Sequence, residues 1–432
     1  MKIIRRDPVF RRIISVCFLA MTGPVLAGGL LGYEISSTEI GLASAGYGAR
    51  GQDASTVLSN PAAMTRLDGT NILINGLLLY GDSSFSSAGR VGQASGGNGG
   101  KPIGWLPGAS AFVSHSLSPA LKVGFGMASN FGGLASYDDD WVGRYYVKET
   151  TLLGLSLLPS VAYRVDDKLS LGATLNATYG VFNNKVGVNN VLPGFADGAL
   201  KLKDNTWGWG LNLGALYEFS PSTRLGLVYT SRVKLDFEAR TQFLGLAPGL
   251  SALLASRGLL DANIDLGLSI PQSVMLSGFH QLDSRWAVLG SLGWQDWSRF
   301  GKVDVAVESS NPTSLTTAGA FKDTWHVAAG AQYRPAAAWT ISFGLAYDSE
   351  FQEGTVSPAL PVNSAWRFGV GAQMQSSKDF SWNVGATYLY GGTLDVSYTT
   401  RAPVATGGRG NLAGSYDNTG IVFLSASANW KF

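Results

Sequence analysis

From Leu67 to the C-terminus the chain is written largely in period two. Leu169, Leu171, Ala173, Leu175, Ala177 and Tyr179 alternate with Ser170, Gly172, Thr174, Asn176, Thr178 and Gly180. Successive side chains of a strand point to opposite faces, so this stretch has one greasy face and one small, polar face. The pattern returns at residues 339–347, 366–374 and 380–390. A β-sandwich also alternates, but there the apolar face is the core and aromatics do not favour strand ends. Here they do: Trp207 and Tyr217, Trp286 and Trp294, Trp325 and Tyr333, and Trp339 and Tyr347 stand at segment ends. Each pair brackets about ten residues, the span a tilted strand needs to cross a bilayer with rings at both interfaces.

Fourteen such segments can be laid out, near 70–80, 109–118, 121–131, 149–165, 168–183, 206–219, 223–239, 263–282, 285–298, 322–334, 338–349, 364–376, 380–392 and 418–432. Their connections alternate long and short, the short ones including Ser118-Pro119-Ala120, Ser220-Pro221-Ser222 and Leu282-Asp283-Ser284. Strict alternation is what an even-stranded barrel with short periplasmic turns requires, and a sandwich has no reason to sort its loops this way. The last segment places Val422, Leu424, Ala426, Ala428, Trp430 and Phe432 on one face and Ser425, Ser427, Asn429 and Lys431 on the other. Closure onto the first strand matters because a lipid-exposed edge leaves backbone groups unpaired. The expectation is an all-β chain: a 14-stranded antiparallel transmembrane β-barrel over residues 69–432, in the bacterial outer membrane.

Ahead of the barrel, Lys2, Arg5, Arg6, Arg11 and Arg12 precede the apolar run 13–21 and Pro24-Val25-Leu26-Ala27. Residues 1–27 therefore read as a secretory signal peptide cut near Ala27. The full chain has 32 basic and 30 acidic residues; without those five cations and Asp7, 27 and 29 remain. A near-neutral mature chain offers no basic surface for nucleic acid. The single cysteine, Cys17, falls in the signal, and a thiol-free mature protein suits an oxidising compartment.

Residues 28–68 are assigned to an N-terminal periplasmic hatch, or plug. The stretch 41–67 is small, polar and punctuated by glycine, with a stiff corner at Asn60-Pro61, because proline fixes φ and has no N–H to donate. An even strand count puts both barrel ends at the periplasm, so this segment can enter the lumen from that side. Gly46-Tyr47-Gly48-Ala49-Arg50-Gly51 matches G-x-G-x-x-G in letters, but it follows no strand and opens no strong helix, so it reads as backbone flexibility. His115, His280 and His326 lie at no ligand spacing, so no metal, cofactor or catalytic set is expected, and His326 reads as a hydrogen-bonded lumen or rim residue. Asp138-Asp139-Asp140 lacks the spacing of a calcium loop and reads as a solvated loop or a divalent-ion contact to lipopolysaccharide. Two loops are unusually apolar, one with Leu246, Leu250, Leu253, Leu254 and Leu260 and one with Val191, Leu192, Phe195, Leu200 and Leu202. They either pack on each other or form a groove that collects greasy ligands.

Asp53-Ala54-Ser55 followed by Asn60-Pro61-Ala62, then Asn130-Phe131-Gly132-Gly133-Leu134-Ala135, Trp141-Val142-Gly143-Arg144-Tyr145, Leu158-Pro159-Ser160-Val161-Ala162-Tyr163-Arg164 and the closing Asn429-Trp430-Lys431-Phe432 carry a resemblance. Together they resemble the FadL family of outer-membrane long-chain fatty acid transporters, which includes importers of aromatic hydrocarbons. The resemblance implies passive uptake of hydrophobic molecules, most of all long-chain fatty acids, with aromatic hydrocarbons as the alternative and no enzymatic activity. It assigns gating to Asp53, Ser55, Asn60, Pro61 and Ala62, and a lateral opening to Phe131, Gly132 and Gly133 in a kinked third strand. Capture falls to Phe195, Leu250, Leu253 and Leu254. For a carboxylate ligand, Arg232, Lys234 and Arg367 lie on lumen-facing parity; their other reading is as paired lumen charges. Expected partners are the hydrophobic ligand, outer-membrane lipid and lipopolysaccharide, and the barrel-assembly machinery that reads Phe432, with the chain acting as a monomer. A general porin is the competing reading, and it predicts a water-filled lumen. Burial gains about 0.8 kcal/mol per methylene, so one deep site would trap a long chain, and a graded series of weaker sites loosened by hatch movement is expected.

Overall fold

The computed structural model describes residues 30–191, 194–300, 302–308, 313–318, 321–401 and 403–432. The signal-peptide expectation for residues 1–27 lies outside them.

Fourteen strands form the wall: β1 (Thr70–Asp82), β2 (Gly104–Ser116), β3 (Leu121–Ser136), β4 (Glu149–Leu157 and Ser160–Arg164), β5 (Leu169–Val188), β6 (Gly198–Ser220), β7 (Thr223–Thr230 and Val233–Arg240), β8 (Asn263–Ile270 and Ser273–Gln281), β9 (Trp286–Gln295), β10 (Thr324–Ala336), β11 (Trp339–Asp348), β12 (Ala365–Ser377), β13 (Phe380–Tyr398) and β14 (Leu412–Lys431). Each pairs antiparallel with its neighbour in sequence, and β14 closes on β1 from Asn71↔Lys431 to Asp82↔Gly420. All fourteen fall where the alternation placed them. Along β5, β6 and β13 the large apolar side chains, Leu171, Leu175, Trp207, Trp209 and Tyr388 among them, are exposed on the outer surface, while Ser170, Thr174, Asn212 and Asn383 are buried on the inner one. No described helix is long and apolar enough to cross a membrane.

Several strands outrun the expected boundaries, β2 starting at Gly104 and β3 ending at Ser136 among them. β5 continues to Val188 and β6 begins at Gly198 because their ladder persists to Val188↔Gly198; β13 and β14 likewise pair as far as Tyr398↔Leu412. Beyond the bilayer the backbone pairing goes on, but the demand for a greasy outer face ends, and with it the sequence signal.

A second departure is more consequential. β7 breaks at Ser231-Arg232 and β8 at Pro271-Gln272, where proline cannot donate to the ladder. Their outer parts leave the barrel sheet and pair with Lys302–Glu308 and Thr313–Ala318 in a separate four-stranded sheet. Val233 and Leu235 then lie over Gly208 and Gly210 on the inner face of β6. Below the break Arg224 and Val228 are buried; above it Val233, Leu235 and Phe237 are. The buried parity has shifted by one residue.

The N-terminal segment runs inside this ring. It holds α1 (Ser37–Gly41), α2 (Thr56–Ser59) and a 3-10 turn, Pro61–Arg66, whose residues are nearly all buried. Above it a cluster of Leu30, Leu79, Phe131, Leu152, Leu389 and Phe423 makes the interior apolar.

Candidate functional site

Asn60 organises the lower interior. Its backbone is extended, Pro61 opens the 3-10 turn after it, and its side-chain oxygen caps that turn by accepting from Ala62 N at 3.0 Å. The same side chain donates to Gly48 O at 2.6 Å and to Ala215 O of β6 at 3.1 Å. One residue thus joins a turn, a second stretch of the segment and the wall. The wall accommodates it with glycine: a Cβ at Gly172 of β5 would stand 2.4 Å from Ala62 N, and one at Gly214 of β6 would stand 2.0 Å from Asn60 Oδ1. These two glycines are paired across β5 and β6, so they form one side-chain-free socket under Asn60-Pro61-Ala62. The G-x-G-x-x-G letters have a similar use. Gly46 N and Gly48 N donate to Ser291 Oγ and Ser277 Oγ, each at 3.0 Å, on the inner faces of β9 and β8.

Asp53 and Ser55 act locally. Asp53 Oδ1 accepts from Ser55 N at 3.0 Å, and its other oxygen is 3.5 Å from Arg50, which also meets Glu39 at 2.6 Å. Glu39 is buried, and desolvation outweighs Arg50 and pushes its carboxyl up to about 7. On the opposite wall, α1 is capped by Ser36, while Ser37 Oγ reaches Asn75 of β1 at 3.0 Å and Ser425 of β14 at 2.8 Å.

Arg367 of β12 is fully buried and bonded to two acids, Glu34 of the N-terminal segment and Asp348 of β11. His326 Nδ1 lies 2.7 Å from the same Asp348, and its ring packs 4.6 Å from Tyr33. Of the two readings of Arg367 left open by parity, the paired lumen charge is the one these contacts support. Arg232, at the break in β7, is half exposed and bonded to Asp296 at 3.2 Å. Lys234 is 67% exposed and pairs with Asp236 at 3.0 Å, on the face of the outer part of β7 opposite the buried Val233 and Leu235. Glu34 and Asp348, which complete the ion cluster, were missed; each is an ordinary acid in sequence, and only packing brings them to one guanidinium.

The third strand carries a bulge. Pairing with β4 slips between Ala128↔Ser156 and Phe131↔Gly154, so Ser129 and Asn130 face Leu155 alone. Gly132 has φ +150° there, a conformation open to glycine, and Gly133 pairs onward with Leu152. Into this bulge comes the start of the N-terminal segment: Gly32 N donates to Asn130 O and Gly132 N to Leu30 O, both at 2.8 Å. Phe131 turns inward, buried against Phe300 and the apolar cluster.

On the outer side, α3 (Pro248–Ser256) spans Leu250, Leu253 and Leu254; Leu253 and Phe195 are exposed, and the other two are half buried. The two apolar loops are tied together by Asn190, which donates to Gly245 O at 2.8 Å and accepts from Ala247 N at 2.9 Å. A depression of about 600 Å³ beside α3 is lined by Phe243, Leu246, Leu260 and several polar groups; the four named capture residues do not line it. His115 and His280 bond to Thr70 and Thr223 at the surface, and no cluster that could hold a metal occurs among the described residues.

A 14-stranded barrel with its N-terminal segment inside and an apolar upper interior has known counterparts. Residues 18–432 match the model of the family described as outer membrane protein transport protein (OMPP1/FadL/TodX). The chain belongs to this family. Among its relatives, outer membrane protein P1 of Haemophilus influenzae is 28% identical over 88% of this chain and 89% of its own length. The long-chain fatty acid transport protein of Escherichia coli strain K12 is 27% identical over 84% and 88%. The crystal structure of a Pseudomonas aeruginosa FadL homologue superposes with TM-score 0.82 at 22% identity, covering 95% of this chain and 100% of that one. The Pseudomonas putida toluene transporter TodX superposes with TM-score 0.68 at 16% identity over 93% and 99%. As a member of the OMPP1/FadL/TodX family, the chain is an outer-membrane transporter of hydrophobic compounds.

Proposed function

We propose that this protein imports long-chain fatty acids passively, from the outer loops through the apolar interior and sideways into the membrane at the β3 bulge. The observation that carries this reading is the meeting of three features at one place. The β3 ladder is interrupted at Ser129-Asn130, the apolar cluster of Leu30, Phe131 and Leu152 lies directly inside, and residues 30–32 cover the spot through backbone bonds. An apolar cargo in the lumen gains nothing from the polar lower half, where the segment around Asn60 closes the periplasmic side. The bulge is the exit whose lining matches the cargo. Relatives named long-chain fatty acid transport protein match most of this chain, which favours fatty acids over aromatic hydrocarbons as the substrate.

In this scheme residues 28–68 are the hatch. Asp53, Ser55, Asn60, Pro61 and Ala62 keep its base in place, Arg367 anchors its beginning through Glu34, and residues 30–32 are the part that yields. The exposed apolar side chains of Phe195 and Leu253, with Leu250 and Leu254, are the first greasy contact outside. The test is a cysteine pair replacing Gly32 and Asn130, in cells whose own gene is deleted. Labelled oleate uptake should stop when the pair is oxidised and return with reductant, and toluene uptake should be small throughout. Uptake of oleate unchanged by oxidation would sink the lateral route; toluene carried in preference to oleate would reassign the substrate.

A further inference from the structure

Between the N-terminal segment and the wall lies a cavity of about 50 Å³, bounded by Leu31, Tyr33, Asn130, Asn176, Asn212 and Met275 among others. None of its lining residues is charged. Asn212, on the inner face of β6, is fully buried, and neither its amide nitrogen nor its amide oxygen has a hydrogen-bond partner. Buried amides are nearly always satisfied, so a bare one lining a cavity points to something polar that binds there. Its neighbours do not supply it. Asn176 Oδ1 accepts from Thr178, and Gln295 is taken up by Tyr33 and Trp297.

The cavity is continuous with the route proposed above. Leu31 lines it and also packs on the apolar cluster of Leu30, Phe131 and Leu152, and Asn130 is the residue whose carbonyl holds Gly32 at the bulge. Its size is room for roughly three or four water-sized groups, enough for a head group but not a chain. None of the buried cations among the described residues lines the cavity, and each is held elsewhere. Arg367 has Glu34 and Asp348, Arg50 has Glu39 and Asp53, and Arg224 donates to the carbonyls of Ala49 and Arg50.

We propose that Asn212 binds the head group of the transported molecule, and that this head group is neutral and carries an O–H: a fatty acid in its protonated form, a long-chain alcohol or a phenol. A side-chain amide offers N–H donors and one carbonyl acceptor, which matches a group that both accepts and donates. A carboxylate only accepts; it would face the amide oxygen with no cation on the cavity lining, and burying an unpaired charge is far costlier than burying an O–H. This inference rests on the reading that the chain carries hydrophobic molecules, and it names the chemical class.

The test is binding of labelled 1-hexadecanol to the full purified chain, with methyl palmitate, hexadecanesulfonate, palmitate and hexadecane as competitors. Hexadecanol should bind about tenfold tighter than the ester, which cannot donate, and tighter than the permanently charged sulfonate. Asn212→Leu should bring the alcohol down to the level of the ester and leave hexadecane unchanged; Asn212→Thr, which keeps a donor and an acceptor, should recover part of the difference and serves if the leucine variant does not fold. Palmitate competing like hexadecanol would make the protonated acid a cargo, whereas palmitate competing no better than the sulfonate would leave the alcohol and phenol class. A sulfonate as tight as the alcohol overturns the proposal, as does an alcohol-to-ester ratio untouched by Asn212→Leu, which would mean that the amide bonds water alone. If hexadecane binds but the ratio is flat, the head-group proposal fails while hydrophobic transport stands; if none of the five binds the folded chain, both fall.

Discussion

Two parts of the N-terminal segment meet the barrel in opposite ways. Around Asn60 the contact is backbone against glycine, with a capped turn, two side-chain bonds and a socket that admits no Cβ at Gly172 or Gly214. At residues 30–32 the contact is two backbone hydrogen bonds laid across a bulge, with apolar side chains around them. The first arrangement has one geometry, because a close-packed fit is lost by any shift. The second resembles a short strand added to an edge, and such an edge can be released without disturbing the rest.

Arg367 tests the anchor between them. Arg367→Met leaves Glu34 buried without its cation and Asp348 with His326 alone, and should cost about 3–5 kcal/mol, read as a lower unfolding midpoint, the largest effect expected. Adding Glu34→Gln should recover part of it. The socket comes next: Gly214→Leu forces Asn60 away and should cost about 1–3 kcal/mol, with residues around Asn60 becoming open to protease while the barrel stays heat-modifiable. Asn60→Ala keeps the space but removes the cap and two bonds, for about 1–2 kcal/mol by the same assay. If Gly214→Leu were harmless, the contrast between the two contacts would collapse.

Glu39 gives the contrast a pH dependence. Burial raises its carboxyl to about 7 in the folded chain, above the ordinary 4.5. A raised acid contributes stability that is fully present below its unfolded value and lost as pH rises through the folded one. The packed segment should therefore be harder to cleave at pH 5 than at pH 8, and Glu39→Gln should flatten that difference. The smallest effect belongs to the bulge: Gly32→Pro removes one backbone donor, should cost about 0.5–1.5 kcal/mol, and should speed oleate uptake rather than slow it. Slower uptake would mean that residues 30–32 guide the cargo instead of covering its way out.

The fourteen strands, their order and the short turns were legible in the residues because a lipid-facing strand must alternate over a fixed length, which leaves a local signal at each position. The stiff corner at Asn60-Pro61 was legible for the same reason, since proline's constraint is carried by the residue itself. What lay beyond the sequence was everything set by a partner far away in the chain. Lys234 shares a parity with the buried Arg224 and Val228 in the sequence, but beyond the break in β7 it stands on the exposed face. Arg367 found Glu34, 333 positions earlier, only once the segment was threaded through the ring. Gly172 and Gly214 looked like any other small inward residues until Asn60 was placed on them. Asn212 reads in the sequence like Asn75 or Asn176, and its bare side chain exists only as a relation between β6 and the cavity beside it. Periodicity is written into the chain because each strand meets the same solvent, whereas the socket, the anchor and the cavity are decided by closure, which brings together residues whose identities carry no mark of one another.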